Sequence, residues 1–180
     1  RFEEPNRWMT SGGLGTMGYG LPAAVGVQMA HPESLVICVA GEASVLMNMQ
    51  EMSTAVQHDL PVKIFILNNQ YMGMVRQWQE LLHGGRYAHS YTAALPDFVK
   101  LAEAYQCVGI RAEKPGDLDG AIKEMVKVKK PVIFDCVVDQ DANCFPMIPS
   151  GEAHNNMLLG EGVSDEAIDK AISEEGKVLV

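Results

Sequence analysis

Short runs of consecutive apolar residues alternate with helix-like segments along most of this chain. The apolar runs predict β-strands, which span residues 35–40, 61–69, 107–112 and 131–138. The segments between and around them predict helices, which span residues 18–30, 45–58, 74–82, 97–105 and 117–129. Strands that are apolar throughout are typical of a parallel sheet covered by helices on both faces. The pattern therefore predicts a doubly wound α/β fold.

The same pattern predicts how the chain is organised and where a ligand binds. We expect Ser164 to be the N-cap of one last helix. The length favours a single domain over residues 1–180, and because the sequence opens on Arg1 we expect that domain to belong to a longer chain. Parallel α/β sheets bind ligands at the carboxyl ends of their strands. The segments to search follow Gly41, Asn68 and Asp139.

Composition argues against two classes of partner. The 180 residues carry 14 basic and 23 acidic side chains, a net charge of -9, whereas a nucleic-acid surface needs a basic face. No apolar run reaches the about 18 residues of a membrane helix. Cys38 and Cys136 lie within predicted strands, and no cysteines form a CxxC pair, so we expect buried, reduced thiols in a reducing compartment. We expect neither a nucleic-acid nor a membrane partner.

A glycine-rich segment precedes the first predicted helix. Residues 13–18 match GxGxxG, the dinucleotide fingerprint, and a nicotinamide dehydrogenase with Glu42 on the ribose is one interpretation. That fingerprint requires a preceding strand, but the residues before Gly13 are polar and include Pro5. The glycines also fit a loop that a flat ligand approaches closely, or a helix entry that needs unusual backbone angles.

A second pair of motifs follows two neighbouring predicted strands. One strand ends in the residues Gly41, Glu42, Ala43 and Ser44, and the next ends in Asn68 and Asn69. The 24 residues between Ala43 and Asn68 are enough for one helix and one strand, so we expect the motifs to meet. A carboxylate and an amide oxygen suit Mg²⁺, which binds few protein oxygens and often shares a phosphate. Asn68 and Asn69 alone would also fit a strand-end turn.

These motifs resemble a known family. GEAS followed by LNN is similar to the thiamine-diphosphate signature, written GDG, 24 to 27 residues, then NN. The segments WMTSGGLGTMGYGLPAA, LNNQYMGMVRQWQ, PDFVKLAEAY and NCFPMIPSG resemble the C-terminal domain of the acetohydroxyacid (acetolactate) synthase catalytic subunit. The resemblance covers essentially the whole chain, and LNNQYMGMVRQWQ is specific for this branch of thiamine enzymes.

The resemblance implies a role for each matching position. Glu42, the side chain of Asn69 and the backbone carbonyl of Tyr71 would bind Mg²⁺. Gly15 and Met17 would hold the aminopyrimidine ring, with Met17 as the apolar wedge that bends the cofactor. The diphosphate would be lined by Gly41, Ala43, Ser44, Gly73 and Met74, and the substrate channel by Val75, Trp78 and Ser150. For Trp78 a core position in its helix is the alternative.

The resemblance also implies a larger enzyme. The parent would decarboxylate pyruvate and add the two-carbon unit to a second 2-oxo acid in branched-chain amino acid biosynthesis, as a cytoplasmic homodimer or higher oligomer with a possible regulatory small subunit. The activating glutamate and the FAD-binding domain belong to other parts of that parent, and so does the first strand of this domain. We therefore expect no catalytic base in this chain and no synthase activity from these 180 residues alone.

Two departures from the signature leave alternatives open. Ala43 replaces a glycine at little steric cost, whereas Glu42 replaces the metal-binding aspartate and is longer by one methylene. We expect this replacement to weaken the metal site rather than abolish it. Another thiamine-dependent decarboxylase or oxidase of 2-oxo acids, or a binding module without a metal site, are the other interpretations.

Overall fold

Four parallel strands form the centre of the structure. The computed structural model describes residues 4–160, so the helix predicted after Ser164 lies outside the described residues. The strands are β1 (Ile37–Gly41), β2 (Lys63–Asn68), β3 (Val108–Ala112) and β4 (Val132–Val137). They lie in the order β1-β2-β4-β3, and every neighbouring pair is parallel. The predicted parallel sheet is confirmed.

Helices pack against both faces of this sheet, as the apolar strands predict. They are α1 (Gly20–Ala30), α2 (Glu42–Leu46), α3 (Glu51–Gln57), α4 (Gly73–Leu82), α5 (Phe98–Ala104) and α6 (Pro115–Lys127), followed by a 3-10 turn at His154–Asn156. One apolar core joins α1, α3 and α5 to the first face, and a second joins α6 to the other. Among the described residues, α6 covers only the β3 and β4 part of the second face. On the β1 and β2 part of that face, Ile37, Val39 and Leu67 are 43–54% exposed.

The single helix predicted over residues 45–58 is wrong. The chain instead forms α2 and α3 with a turn between them, and α2 begins directly at the end of β1. Within this turn Asn48 donates its Nδ2–H to the carbonyl oxygen of Gly18, at 2.6 Å. The apolar spacing continues through the turn, so periodicity alone does not reveal the break. The break places Asn48 against the glycine-rich segment.

The first helix starts two residues later than predicted. Gly18 has φ +85°, a left-handed conformation outside the helical range, and α1 begins at Gly20. A Cβ atom on Gly18 would also lie 2.6 Å from the Nδ2 atom of Asn48. The backbone angle favours glycine here, and a Cβ atom would also displace the amide of Asn48.

Helix α5 packs unusually close to β3 because of one glycine. A Cβ atom on Gly109 would lie 2.8 Å from the Cα and carbonyl oxygen atoms of Val99. At the start of the helix, the N-cap Asp97 accepts hydrogen bonds from the backbone N–H groups of Val99 and Lys100. Helix α5 therefore has a fixed start and a fixed distance from the sheet.

A lysine lies inside the sheet, where the pattern predicts only apolar side chains. Lys63 is 2% exposed, and its Nζ donates to the carbonyl oxygens of Val128 and Lys130 at 2.6 and 2.9 Å. Burial, together with the charge of Lys129, lowers the pKa of Lys63 to about 8. Because these carbonyls follow the end of α6, the lysine stabilises that helix terminus and ties it to β2.

The cysteines and the helix lengths bear on two further expectations from the sequence. The thiols of Cys38 and Cys136 are free and buried, as predicted. Within residues 4–160, no helix has the length and apolar character that crossing a membrane requires.

Candidate functional site

The two strand-end motifs meet as expected. Strand β1 pairs with β2 so that Gly41 lies opposite Leu67, and Glu42 therefore follows at the level of Asn68. Because both strands run in the same direction, the residues that follow them emerge at the same edge of the sheet. This edge holds the candidate site.

Glu42 is a fully buried carboxylate with one unpaired oxygen. Its Oε1 accepts a hydrogen bond from the hydroxyl of Thr92 at 3.3 Å, while its Oε2 has no partner. Burial raises the pKa of Glu42, and the negative charge of Asp135 raises it further. The backbone N–H groups of Glu42 and Asn69 and the Thr92 hydroxyl lower it, but the net shift is upward. An unpaired buried carboxylate oxygen costs free energy, and a cation bound there would remove that cost.

The loop that follows β2 brings amide and carbonyl oxygens to the same place. The side-chain oxygens of Asn68 and Asn69 accept hydrogen bonds from the backbone N–H groups of Gln70 and Tyr71, each at 3.2 Å. Gln70 lies between them with φ +60°. These contacts shape a tight turn, so both the interpretation as a turn and the interpretation as a site fit the asparagine pair.

A second segment holds this turn in place. The backbone N–H of Thr92 donates to the carbonyl of Gln70 at 2.9 Å, and that of Met72 donates to the carbonyl of Ser90 at 2.8 Å. The rings of Tyr71 and Tyr91 are 5.0 Å apart. The same segment thus positions the turn and supplies the hydroxyl that contacts Glu42, a role that the sequence pattern does not reveal.

Helix α4 begins beside this turn with uncapped N–H groups. Its N-cap Met72 offers no side-chain hydrogen bond, and its first backbone bond runs from Arg76 to Met72. The N–H groups of Gly73, Met74 and Val75 therefore have no partner within the helix. The N-terminus of a helix is a favourable place for a phosphate.

The glycine-rich segment is fastened to the same edge. The N–H of Gly18 donates to the Oγ of Ser44 at 2.8 Å, and Asn48 holds the Gly18 carbonyl. Gly15 has φ +67° and is exposed, and Met17 is 39% exposed. Ser44 accepts a bond here and keeps its own hydroxyl proton for another acceptor. The two motifs found separately in the sequence therefore form one region.

An exposed apolar stripe lies along α4. Val75 and Trp78, three residues apart on one helix face, are each 42% exposed, whereas Arg76 and Gln77 are buried. The alternative that Trp78 is a core residue is therefore wrong. Gln77 exchanges hydrogen bonds with the backbone of Cys144, which anchors the segment leading to Ser150, itself exposed.

Arg76 is a structural residue that the sequence pattern missed. Its guanidinium pairs with Glu80 at 2.6 Å and Asp141 at 2.7 Å, and lies 5.3 and 5.2 Å from the ring centroids of Tyr71 and Tyr87. The spacing of Arg76 and Glu80, four residues apart on a helix, was the one signal available. The arginine joins three segments around the candidate site.

The structure also shows whether a strand precedes the GxGxxG segment and whether acidic, histidine and cysteine side chains cluster as metal ligands. No strand precedes Gly13 in the described chain, so the fingerprint lacks the element that it requires. Residues 4–160 contain no group of three or more His, Cys, Asp or Glu side chains that could hold a metal ion. A metal at this edge would need mixed oxygen donors, of the kind that Glu42, Asn69 and the Tyr71 carbonyl provide.

Comparison with known proteins identifies the family. Residues 1–136 match the family model described as thiamine pyrophosphate enzyme, C-terminal TPP binding domain. This chain belongs to that family. It is 48% identical over 161 residues to the acetolactate synthase large subunit of Haemophilus influenzae and 48% identical over 163 residues to the isozyme 3 large subunit of Escherichia coli K12. Each alignment covers 89% of this chain, which spans only 28% of either relative.

A solved structure supports the fold assignment within this family. It is the thiamine diphosphate-dependent 4-hydroxybenzoylformate decarboxylase of Rhodococcus jostii RHA1, with a TM-score of 0.64 and 31% identity. The match covers 70% of this chain and 24% of that one. The thiamine-binding fold that the resemblance implies is thereby confirmed.

Glu42→Gln should stabilise the protein when metal ions and cofactor are removed. The substitution replaces a buried charge with a neutral group of the same shape, so we expect the free energy of unfolding at pH 7 to rise by about 1 kcal/mol. Because the folded pKa is raised, the difference should shrink as the pH falls and Glu42 takes up a proton. Denaturant unfolding in EDTA measures it.

The matched control is Glu33→Gln, which removes the same charge from an exposed position and should change little. A Glu42→Gln protein that is less stable than the starting protein would show that the carboxylate is well accommodated without a cation.

Proposed function

We propose that this chain is the thiamine diphosphate- and Mg²⁺-binding part of an acetolactate synthase large subunit. The observation that carries the proposal is the unpaired Oε2 of Glu42, buried next to the Asn69 turn and the uncapped start of α4. A carboxylate in this environment favours a cation, and adjacent N–H groups favour the phosphates that Mg²⁺ shares.

The residues present fit the metal and the diphosphate. Glu42, the Asn69 side chain and the Tyr71 carbonyl supply hard oxygens, and Mg²⁺ takes its other ligands from phosphate and water. On the phosphate side, the backbone N–H groups of Gly73 and Met74 at the start of α4 bind oxygens. Gly41, Ala43 and the Ser44 hydroxyl would line the rest of the diphosphate site.

The aminopyrimidine ring of the cofactor would lie against the exposed side of the glycine-rich segment. Gly15 would present bare backbone to the aminopyrimidine ring, and Met17 would supply an apolar side chain against the cofactor. When bound, thiamine diphosphate would supply the carbanion-stabilising chemistry that the transfer of a two-carbon unit requires. This chain binds and orients the cofactor, while the activating carboxylate comes from another domain of the parent.

The choice of reaction within the family rests on the relatives. Proteins named acetolactate synthase large subunit reach 48% identity, whereas the decarboxylase reaches 31%. The parent then acts on pyruvate and a second 2-oxo acid, and Val75, Trp78 and Ser150 line the approach. A regulatory small subunit fits the term large subunit in the relatives' names. The homodimer, the FAD and the cytoplasmic location remain part of the same proposal.

Product analysis of the full-length parent tests the proposal. With pyruvate, thiamine diphosphate and Mg²⁺, we expect acetolactate as the main product and no turnover in EDTA. Acetaldehyde as the main product would indicate a decarboxylase instead. Turnover that is unaffected by removing divalent cations would contradict the metal site.

Glu42→Asp in the full-length parent should lower the Mg²⁺ concentration needed for half-saturation severalfold at fixed thiamine diphosphate. Mg²⁺ prefers near-octahedral oxygens at about 2.0–2.1 Å, and the shorter side chain leaves more room for the ion. Glu33→Asp, an equal change at an exposed position, is the control. Half-saturation at the same or a higher Mg²⁺ concentration would contradict the idea that glutamate fits this site poorly.

Trp78→Leu should change which second 2-oxo acid the parent prefers, while its stability stays the same. The indole is 42% exposed on α4, so its loss removes a channel wall rather than core packing. We expect the preference between pyruvate and its one-carbon-longer homologue to shift on the order of tenfold. Competition between the two acids measures the preference.

The comparison variant is Phe134→Leu, which shortens a fully buried aromatic side chain. It should lower the melting temperature and leave the preference unchanged. Unchanged preference in Trp78→Leu would remove this residue from the channel.

A further inference from the structure

A row of polar side chains crosses the face of the sheet that α1, α3 and α5 cover, behind the candidate site. Arg111 on β3 lies opposite Asp135 on β4, and Asp135 lies opposite Ile66 on β2. Asn68 is two residues beyond Ile66, so its side chain points to the same face as Asp135. The three polar residues thus form a row that ends where the loop after β2 begins.

Asp135 is the centre of this row. It is 1% exposed; its Oδ1 accepts from Asn68 Nδ2 at 3.0 Å and its Oδ2 from Arg111 Nε at 2.9 Å. The far end of Arg111 donates to Asp97 at 3.1 Å, and Asp97 caps α5. Each carboxylate oxygen of Asp135 therefore has its own donor.

The carboxylate determines which way the Asn68 amide faces. An ionised carboxylate only accepts hydrogen bonds, so Asn68 must present its NH₂ to Asp135. Its oxygen is thereby directed to the backbone N–H of Gln70, at 3.2 Å. A reversed amide would place oxygen against oxygen at Asp135 and NH₂ against N–H at Gln70, losing both bonds.

The bond to Gln70 matters because that residue has an unfavourable backbone. Gln70 has φ +60°, a region that non-glycine residues occupy only when their surroundings impose it. It stands between Asn69 and Tyr71, whose side-chain and carbonyl oxygens are proposed ligands. A change at Gln70 would move both ligands at once.

We propose that Asp135 is a positioning residue that sets the affinity of the Asn69–Tyr71 turn for a divalent cation, by fixing the orientation of the Asn68 amide. This inference rests on the proposed function and concerns its metal site. Asp135 itself does not contact the ion. A purely structural role for the row would instead affect folding stability and leave cation affinity unchanged.

Asp135→Asn separates these two roles. The new amide has one oxygen and one NH₂, and the positively charged Arg111 attracts the oxygen. Its NH₂ then faces Asn68, which must turn its own oxygen toward it and its NH₂ toward Gln70. The substitution therefore reverses the row and removes the loop bond without changing the volume of the side chain.

Calorimetric titration of Mg²⁺ into the full-length parent with saturating thiamine diphosphate provides the readout. We expect Asp135→Asn to raise the dissociation constant for Mg²⁺ about tenfold, the equivalent of one lost hydrogen bond of 1.4 kcal/mol. The control is Asp97→Asn, which removes the other negative charge that pairs with Arg111 and keeps the Oδ1 atom that caps α5. It should shift the dissociation constant less than twofold.

A second substitution gives a result that a structural role does not predict. Adding Arg111→Met to Asp135→Asn removes the positive charge that attracts the oxygen of the new amide at position 135. That amide can then turn its oxygen back to Asn68. We expect Mg²⁺ affinity to recover severalfold although a further ion pair is lost. If Asp135→Asn does not fold, Asn68→Ala, which deletes the loop bond and keeps the Asp135–Arg111 pair, should show the same tenfold loss.

The outcomes are distinct. Mg²⁺ affinity unchanged in Asp135→Asn, or in Asn68→Ala where that variant replaces it, overturns the positioning role. Absence of recovery in the double variant, or an equal loss in Asp97→Asn, also overturns it. If the starting protein takes up no Mg²⁺, the proposed function itself fails.

Discussion

A buried carboxylate oxygen without a hydrogen-bond donor is the feature on which the candidate site depends. Glu42 is placed by the parallel register of β1 and β2, which brings it level with Asn68 and away from water. Its Oε2 has no partner while Thr92 satisfies Oε1. Burial of such a group costs free energy that a cation would offset. The turn after β2, the start of α4 and the glycine-rich segment lie at the same edge of the sheet.

Much of this arrangement could be predicted from the sequence. Apolar runs of six to nine residues separated by helix-length segments indicate a parallel sheet, and polar motifs are expected at the edge where its strands end. The distance from Ala43 to Asn68 was sufficient to predict that the two motifs meet. Asp97 and the glycine segment likewise occupy the positions that their residue types favour.

The remaining features depend on tertiary contacts that a linear pattern does not encode. The break between α2 and α3 places Asn48 where it bonds to Gly18, thirty residues away in the chain. Thr92 reaches Glu42 across fifty residues, and Arg76 reaches Asp141 across 65 residues. Lys63 and Asp135 were visible as charges within apolar strands, but their partners lie on other elements.

The most direct test of the site is a crystal structure of the full-length parent with thiamine diphosphate and Mn²⁺, whose anomalous scattering locates the ion independently. We expect one anomalous peak at the ends of β1 and β2, with a Glu42 carboxylate oxygen, the Asn69 side-chain oxygen and the Tyr71 carbonyl about 2.0–2.4 Å away. A peak that leaves Glu42 without contact to the ion, or an ion bound away from this edge, would contradict it.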